Sequence, residues 1–147
     1  MKENDDAEAL PDRPVSPHPN YVTPSGLAQL DAELARFSEH YAQAQAAADR
    51  SALAQAGRDL RYWQQRRASA QPIDAPPDNA TVQFGSRVTI ERDDGRRQTW
   101  RIVGEDEADP AKGTLSYVSP VARALTGRKV GDVVEAGNSE ATIVVIE

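Results

Sequence analysis

The chain has 147 residues with a formal net charge of −6; 39% of it is hydrophobic, 27% charged and 5% aromatic. That length suits one domain or two small ones. So few aromatics leave little to line a large pocket, and the lack of cysteine removes disulfides, thiolate metal sites and cysteine nucleophiles together. The negative balance argues against a general nucleic-acid mantle, so contact with DNA or RNA is expected only through a local patch or a partner.

Residues 1–20 set Lys2 and Arg13 against Glu3, Asp5, Asp6, Glu8 and Asp12, with prolines at 11, 14, 17 and 19. Such a stretch has little apolar surface to offset its ordering entropy, so it reads as a disordered tail, with His18 a solvated residue of it. Met1 to Leu10 lack the charged-then-apolar order of a signal peptide, and no apolar run reaches membrane-span length. A cytoplasmic location and no membrane partner are expected.

A helix start follows, with Thr23 as cap and Pro24 in the first helical position. Leu27, Leu30, Leu34, Phe37, Tyr41, Ala44 and Ala48 then recur at steps of three and four, the seam of a coiled coil. The pattern breaks at residues 49–51 and resumes at Leu53, Ala56, Leu60, Trp63, Arg67 and Ala70. Two seams around a short polar break describe an antiparallel hairpin over 21–71, slim at its tip. Bases cluster on the second arm at Arg58, Arg61, Arg66 and Arg67, and Pro72, Pro76 and Pro77 make a stiff linker over 72–78.

From 79 to 147 the chain reads as strands. Residues 82–90 are β-branched and partly alternating, Asp94-Gly95 is a hairpin turn, and residues 98–103 return. Residues 114–118 form another strand, Ser119-Pro120 opens a short helix over 121–125 that Gly127 ends, and residues 133–134 and 141–146 complete the sheet. The expected class is α+β: a coiled-coil hairpin, then a small antiparallel sheet domain with one short helix.

The run from Arg101 to Asp109, RIVGEDEAD, resembles the "RIVG-x-DEAD" segment of the GreA/GreB transcription elongation factor family. Ser119 to Gly127, SPVARALTG, followed by Gly131-Asp132-Val133-Val134, is similar to that family's "SP-x-ARAL-x-G…GD-x-V" signature. Phe84-Gly85 and the turn from Glu91 to Gly95 look like its GreB branch, as do Arg58 to Tyr62 on the second arm. Tyr21 to Leu27 and Leu30 to Leu34 resemble the family's opening helix. The resemblance covers residues 21–147. It implies an FKBP-like C-terminal domain that docks at the rim of the secondary channel of bacterial RNA polymerase, with the hairpin directed down the channel. It further implies two tip carboxylates that help hold a catalytic magnesium ion while backtracked RNA is cleaved.

The chain departs from the family at that tip. The family reads like "GD-x-x-EN", whereas here Ala48-Asp49-Arg50-Ser51-Ala52 keeps the aspartate and places alanine at the glutamate position. Each arm is also shorter than the family's by roughly 8 to 10 residues, which at about 1.5 Å per residue stops the tip roughly 12 to 15 Å short. The resemblance with its departures implies a polymerase-binding regulator that does not stimulate cleavage and is not itself an enzyme. The alternatives are a cleavage-stimulating factor using Asp49, or a coiled-coil module for another partner.

Several residues carry two readings at this stage. Asp49 is either a relic of the catalytic tip or a cap of the second helix. Glu39 and His40 are adjacent and splay to different helix faces, which does not suit a metal pair. Arg58 and Arg61 share a face that meets acidic channel walls or RNA phosphates, or is simply solvated. Trp63 reads as packing on the seam. Asp106, Glu107 and Asp109 form an acidic loop that the resemblance places near the docking surface, and Ser119, Pro120 and Arg123 join it as candidate contacts, Ser119 and Pro120 also as a helix start. Prolyl isomerase activity needs an aromatic-lined pocket, for which residues 79–147 offer only Phe84, Trp100 and Tyr117. No metal site and no cofactor are expected, magnesium of the polymerase entering only if Asp49 serves cleavage. Nucleic acid is expected only within the elongation complex, and no oligomeric state follows from the pattern.

Overall fold

The computed structural model describes residues 10–147, so the first part of the expected tail lies outside the described residues. The chain divides into two compact units, one made of residues 27–70 with the segment up to Pro19, the other of residues 20–26 and 71–147. No helix among the described residues is long and apolar enough to cross a membrane.

The first unit is a helical hairpin. Helix α1 spans Pro24–Ala46 and helix α2 spans Arg50–Ser69. Phe37 stacks on Trp63 at a centroid distance of 6.5 Å, and Arg67 Nε bonds Asp31 Oδ1 at 2.6 Å. Positions early in α1 thus meet positions late in α2, which makes the pair antiparallel. Leu30, Ala44 and Ala56 are buried as the seams predict, while Phe37, Tyr41, Leu60 and Trp63 are only half-buried because two helices cover little of each other. The α2 seam is displaced by one position near its end: Arg66 is 2% exposed and Arg67 half-buried. Arg66 therefore does not belong to a solvated basic face.

Residues 10–19 depart from the expected unpacked tail. The Arg13 guanidinium lies 3.9 Å above the Tyr62 ring and 3.2 Å from Asp59 Oδ1, and Asp12 pairs with Arg61 at 2.5 Å. Pro11 and Pro14 limit the conformations this stretch loses on ordering, and its charges find partners along α2. Composition alone did not register that second term.

In the second unit, strand β1 (Tyr21–Val22) pairs in parallel with β2 (Gln71–Pro72), tying the two ends of the hairpin together. The main sheet contains β3 (Arg87–Arg92), β4 (Arg97–Val103), β5 (Thr114–Ser116), β6 (Val133–Ala136) and β7 (Ser139–Ile146), in the order β5-β4-β3-β7-β6. Its pairings are antiparallel except β4 with β5, so the sheet is mixed. Two 3₁₀ turns, Glu105–Glu107 and Pro110–Lys112, provide the β4–β5 crossover. Helix α3 (Pro120–Leu125) buries Ala122 and Leu125 in a core shared with Val82, Val88, Ile90, Ile102, Val134, Ala141 and Ile143.

Val82 is a core residue although the strand begins only at Arg87. Gln83 to Ser86 turn instead, Ser86 N–H donating to Gln83 O at 2.9 Å with Gly85 at φ +88°. The Asp94-Gly95 turn forms as read, with Gly95 at φ +85°. Ser119 accepts a bond from Ala122 N–H at 3.3 Å, and Pro120 occupies the first turn of α3.

Candidate functional site

At the hairpin tip, α1 ends when Ala48 N–H donates to Gln45 O and Asp49 N–H to Ala44 O, each at 3.1 Å. These are the two bonds of a Schellman stop, which needs a left-handed residue at the position Ala48 fills. Ala48 adopts φ +52°, the one non-glycine residue with positive φ among the described residues. Asp49 at once caps α2, its Oδ1 accepting from Ala52 N–H at 3.1 Å. A single residue thus closes one helix and opens the next. From Gln43 to Gln55, Asp49 carries the only carboxylate. Among the described residues, no group of three or more histidine, cysteine, aspartate or glutamate side chains could hold a metal ion.

Arg58 and Arg61 lie on α2, both half-buried. Arg58 Nε is 3.4 Å from Asp59 Oδ1 and makes no hydrogen bond. Arg61 is engaged twice, by Asp12 Oδ1 at 2.5 Å and by the Leu10 carbonyl at 3.1 Å. The two arginines share a face as expected, and the chain's own N-terminal residues occupy part of it.

The acidic loop separates into different jobs. Glu107 is a bonding hub within its unit: Oε2 accepts from Thr23 N–H at 2.9 Å and Gly104 N–H at 3.1 Å, while Oε1 accepts from the Thr23 hydroxyl. Thr23 Oγ1 in turn accepts from Gly26 N–H at 3.0 Å, the cap of α1 predicted from Thr23-Pro24. The fit leaves no spare room, since a Cβ on Gly26 would lie 2.2 Å from Glu107 Oε2 and a Cβ on Gly104 2.2 Å from Tyr21 O. Asp109 caps the second 3₁₀ turn through Ala111 N–H at 3.2 Å. Glu107, Asp109 and Ser119 are therefore committed to local structure. Asp106 is half-buried and Arg123 is exposed on α3.

Residues 77–147 match the family described as "Transcription elongation factor, GreA/GreB, C-term". The chain is 36% identical over 135 residues to transcription elongation factor GreB of Haemophilus ducreyi, covering 79% of this chain and 83% of that protein. It is 34% identical to GreB of Yersinia pestis, covering 87% of each. The chain belongs to the GreA/GreB family. GreA of Ruegeria pomeroyi is 35% identical over 78% of this chain and 85% of its own length. The GreA factor homolog 1 protein of Thermus thermophilus superposes with a TM-score of 0.44 at 21% identity, covering 88% of this chain and 99% of that one.

Within this Gre-family chain, sequence reasoning missed three features. The Thr23–Glu107 clamp joins residues 84 positions apart, though the hydroxyl at a helix start and the conspicuous acid after Gly104 were its separate signals. Tyr21, Phe84 and Tyr117 form a cluster with centroid distances of 5.3 to 6.1 Å, which no periodicity announces. The contacts of Asp12 and Arg13 with α2 also went unseen.

Proposed function

We propose that the chain is a Gre-family transcription elongation regulator that binds bacterial RNA polymerase at its secondary channel and does not stimulate transcript cleavage. The observation that carries the second half is the tip. Its one carboxylate, Asp49, caps α2, and the residue three positions on is Ala52, whose side chain cannot ligate a metal. A shared magnesium ion needs several hard oxygen ligands placed to tenths of an ångström. One carboxylate engaged by a backbone N–H supplies too little. The family membership supports the first half. The chain performs no chemistry of its own in this reading and holds no metal; it regulates by occupying the channel.

The test is single-turnover cleavage of backtracked RNA in stalled elongation complexes, with saturating wild-type chain or its Asp49→Ala variant. Both are expected to leave the transcript at its intrinsic cleavage rate. Acceleration by wild type that Asp49→Ala abolishes would replace this reading with that of a cleavage factor using Asp49. Failure to bind polymerase at all would leave an interaction module for a different partner.

A further inference from the structure

The arginine face of α2 carries a ligand already. Arg61 donates from Nε to Asp12 Oδ1 at 2.5 Å and from Nη2 to the Leu10 carbonyl at 3.1 Å. Arg13 lies 3.9 Å above Tyr62, the residue after Arg61, and 3.2 Å from Asp59, two residues before it. Leu10 faces the same hollow as Arg50, Ser51, Ala54 and Gln55. The pair of acceptors on Arg61, one carboxylate oxygen and one main-chain carbonyl, is what an extended acidic peptide offers; a phosphate offers no amide carbonyl.

We propose that the Arg58–Tyr62 face of α2 is a docking surface for an extended acidic segment of a partner protein, and that residues 10–14 are its resident intramolecular occupant. The partner's segment binds by displacing the strap. The inference rests on the polymerase reading above only for the partner's identity, an acidic segment of the polymerase.

The strength of the contacts suits exchange. The Arg61–Asp12 pair is exposed on both sides, at 42% and 59%, and such pairs shift an equilibrium by about fivefold at most. A cation over a ring at an exposed site adds a similar factor. Ordering five residues opposes both, with Pro11 and Pro14 reducing that cost. Contacts of this size leave the strap exchangeable, and a partner segment that offers Arg61 the same acceptors can replace it.

The test uses the full chain as wild type, as Asp12→Asn/Arg13→Ala, and as that double variant with Arg61→Gln added. Two ligands are titrated. The first is a synthetic peptide with the sequence of residues 10–19, followed through the Trp63 indole N–H and Arg61 Nε–H signals by NMR, the Trp63 signal serving alone where Arg61 is replaced. The second is core RNA polymerase, followed by anisotropy of a labelled chain. The weakened strap should raise affinity for both ligands about threefold to tenfold, and Arg61→Gln should remove the gain. No binding of the peptide to the double variant would overturn the claim of a resident ligand. Peptide binding with unchanged or weaker polymerase affinity would overturn the docking claim. A gain that a single-stranded RNA oligonucleotide reproduces and polymerase does not would identify a nucleic-acid surface instead. If no variant binds polymerase, the polymerase reading falls by itself and the peptide titration still decides the surface.

Discussion

Replacing Glu107 by alanine removes three acceptor interactions at once, those with Thr23 N–H, Thr23 Oγ1 and Gly104 N–H. Hydrogen bonds to a charged acceptor contribute about 1.5–3 kcal/mol each when buried. Glu107 and Thr23 are half-buried, so water partly replaces the lost carboxylate and the sum is discounted to about 3 kcal/mol. For a chain of this length each kcal/mol moves Tm by about 3 °C, which gives a fall of about 9 °C. The assay is thermal unfolding of the full chain by circular dichroism at neutral pH, with Thr23→Val and the double variant completing a cycle. A coupling of about 1 kcal/mol or more between the two positions is expected. A fall below about 2 °C with no coupling would refute the clamp and return Glu107 to the role of an exposed loop acid.

Ala48→Gly relieves a left-handed residue whose strain is about 1–2 kcal/mol, offset by about 0.4–1 kcal/mol of added unfolded-chain entropy; urea denaturation should show a net gain. Asp49→Ala removes the α2 cap and should cost about 1 kcal/mol by the same measurement while leaving polymerase affinity unchanged. Asp94 is held below the ordinary carboxylate range, first by the Arg96 backbone N–H and then by the Arg96 side chain. A carboxyl whose folded value is depressed stabilises above its unfolded value and loses that contribution as pH falls through the folded one. NMR titration should therefore place the Asp94 midpoint below that of an unperturbed aspartate, and Arg96→Ala should raise it only in part, because the backbone donor remains.

Local chemistry was the legible part of this chain. The caps at Thr23-Pro24 and Ser119-Pro120 and the Asp94-Gly95 turn each depend on residues within a few positions, and each appears where read. What the sequence hid depends on distant pairing. Glu107 looked like a surface acid because its donors come from residues 23 and 104. Arg66 read only as one of four bases clustered on α2, because its burial depends on a shift of one helical position. Residues 10–19 looked unpacked because composition counts apolar surface and ignores a guanidinium over a ring. Of the candidate contacts, Arg123 is exposed and Arg58 and Arg61 are half-buried, whereas Glu107, Asp109 and Ser119 are engaged in holding their own loops together.

The central claim is channel occupancy without cleavage, and a competition measurement tests it most directly. Stalled, backtracked elongation complexes of the cognate polymerase receive a fixed amount of full-length GreB and increasing amounts of this chain, and the rate of RNA shortening is followed. Occupancy without cleavage predicts no shortening by this chain alone and progressive suppression of the GreB-stimulated rate. Shortening by the chain alone, or a GreB-stimulated rate that saturating chain leaves untouched, would contradict it.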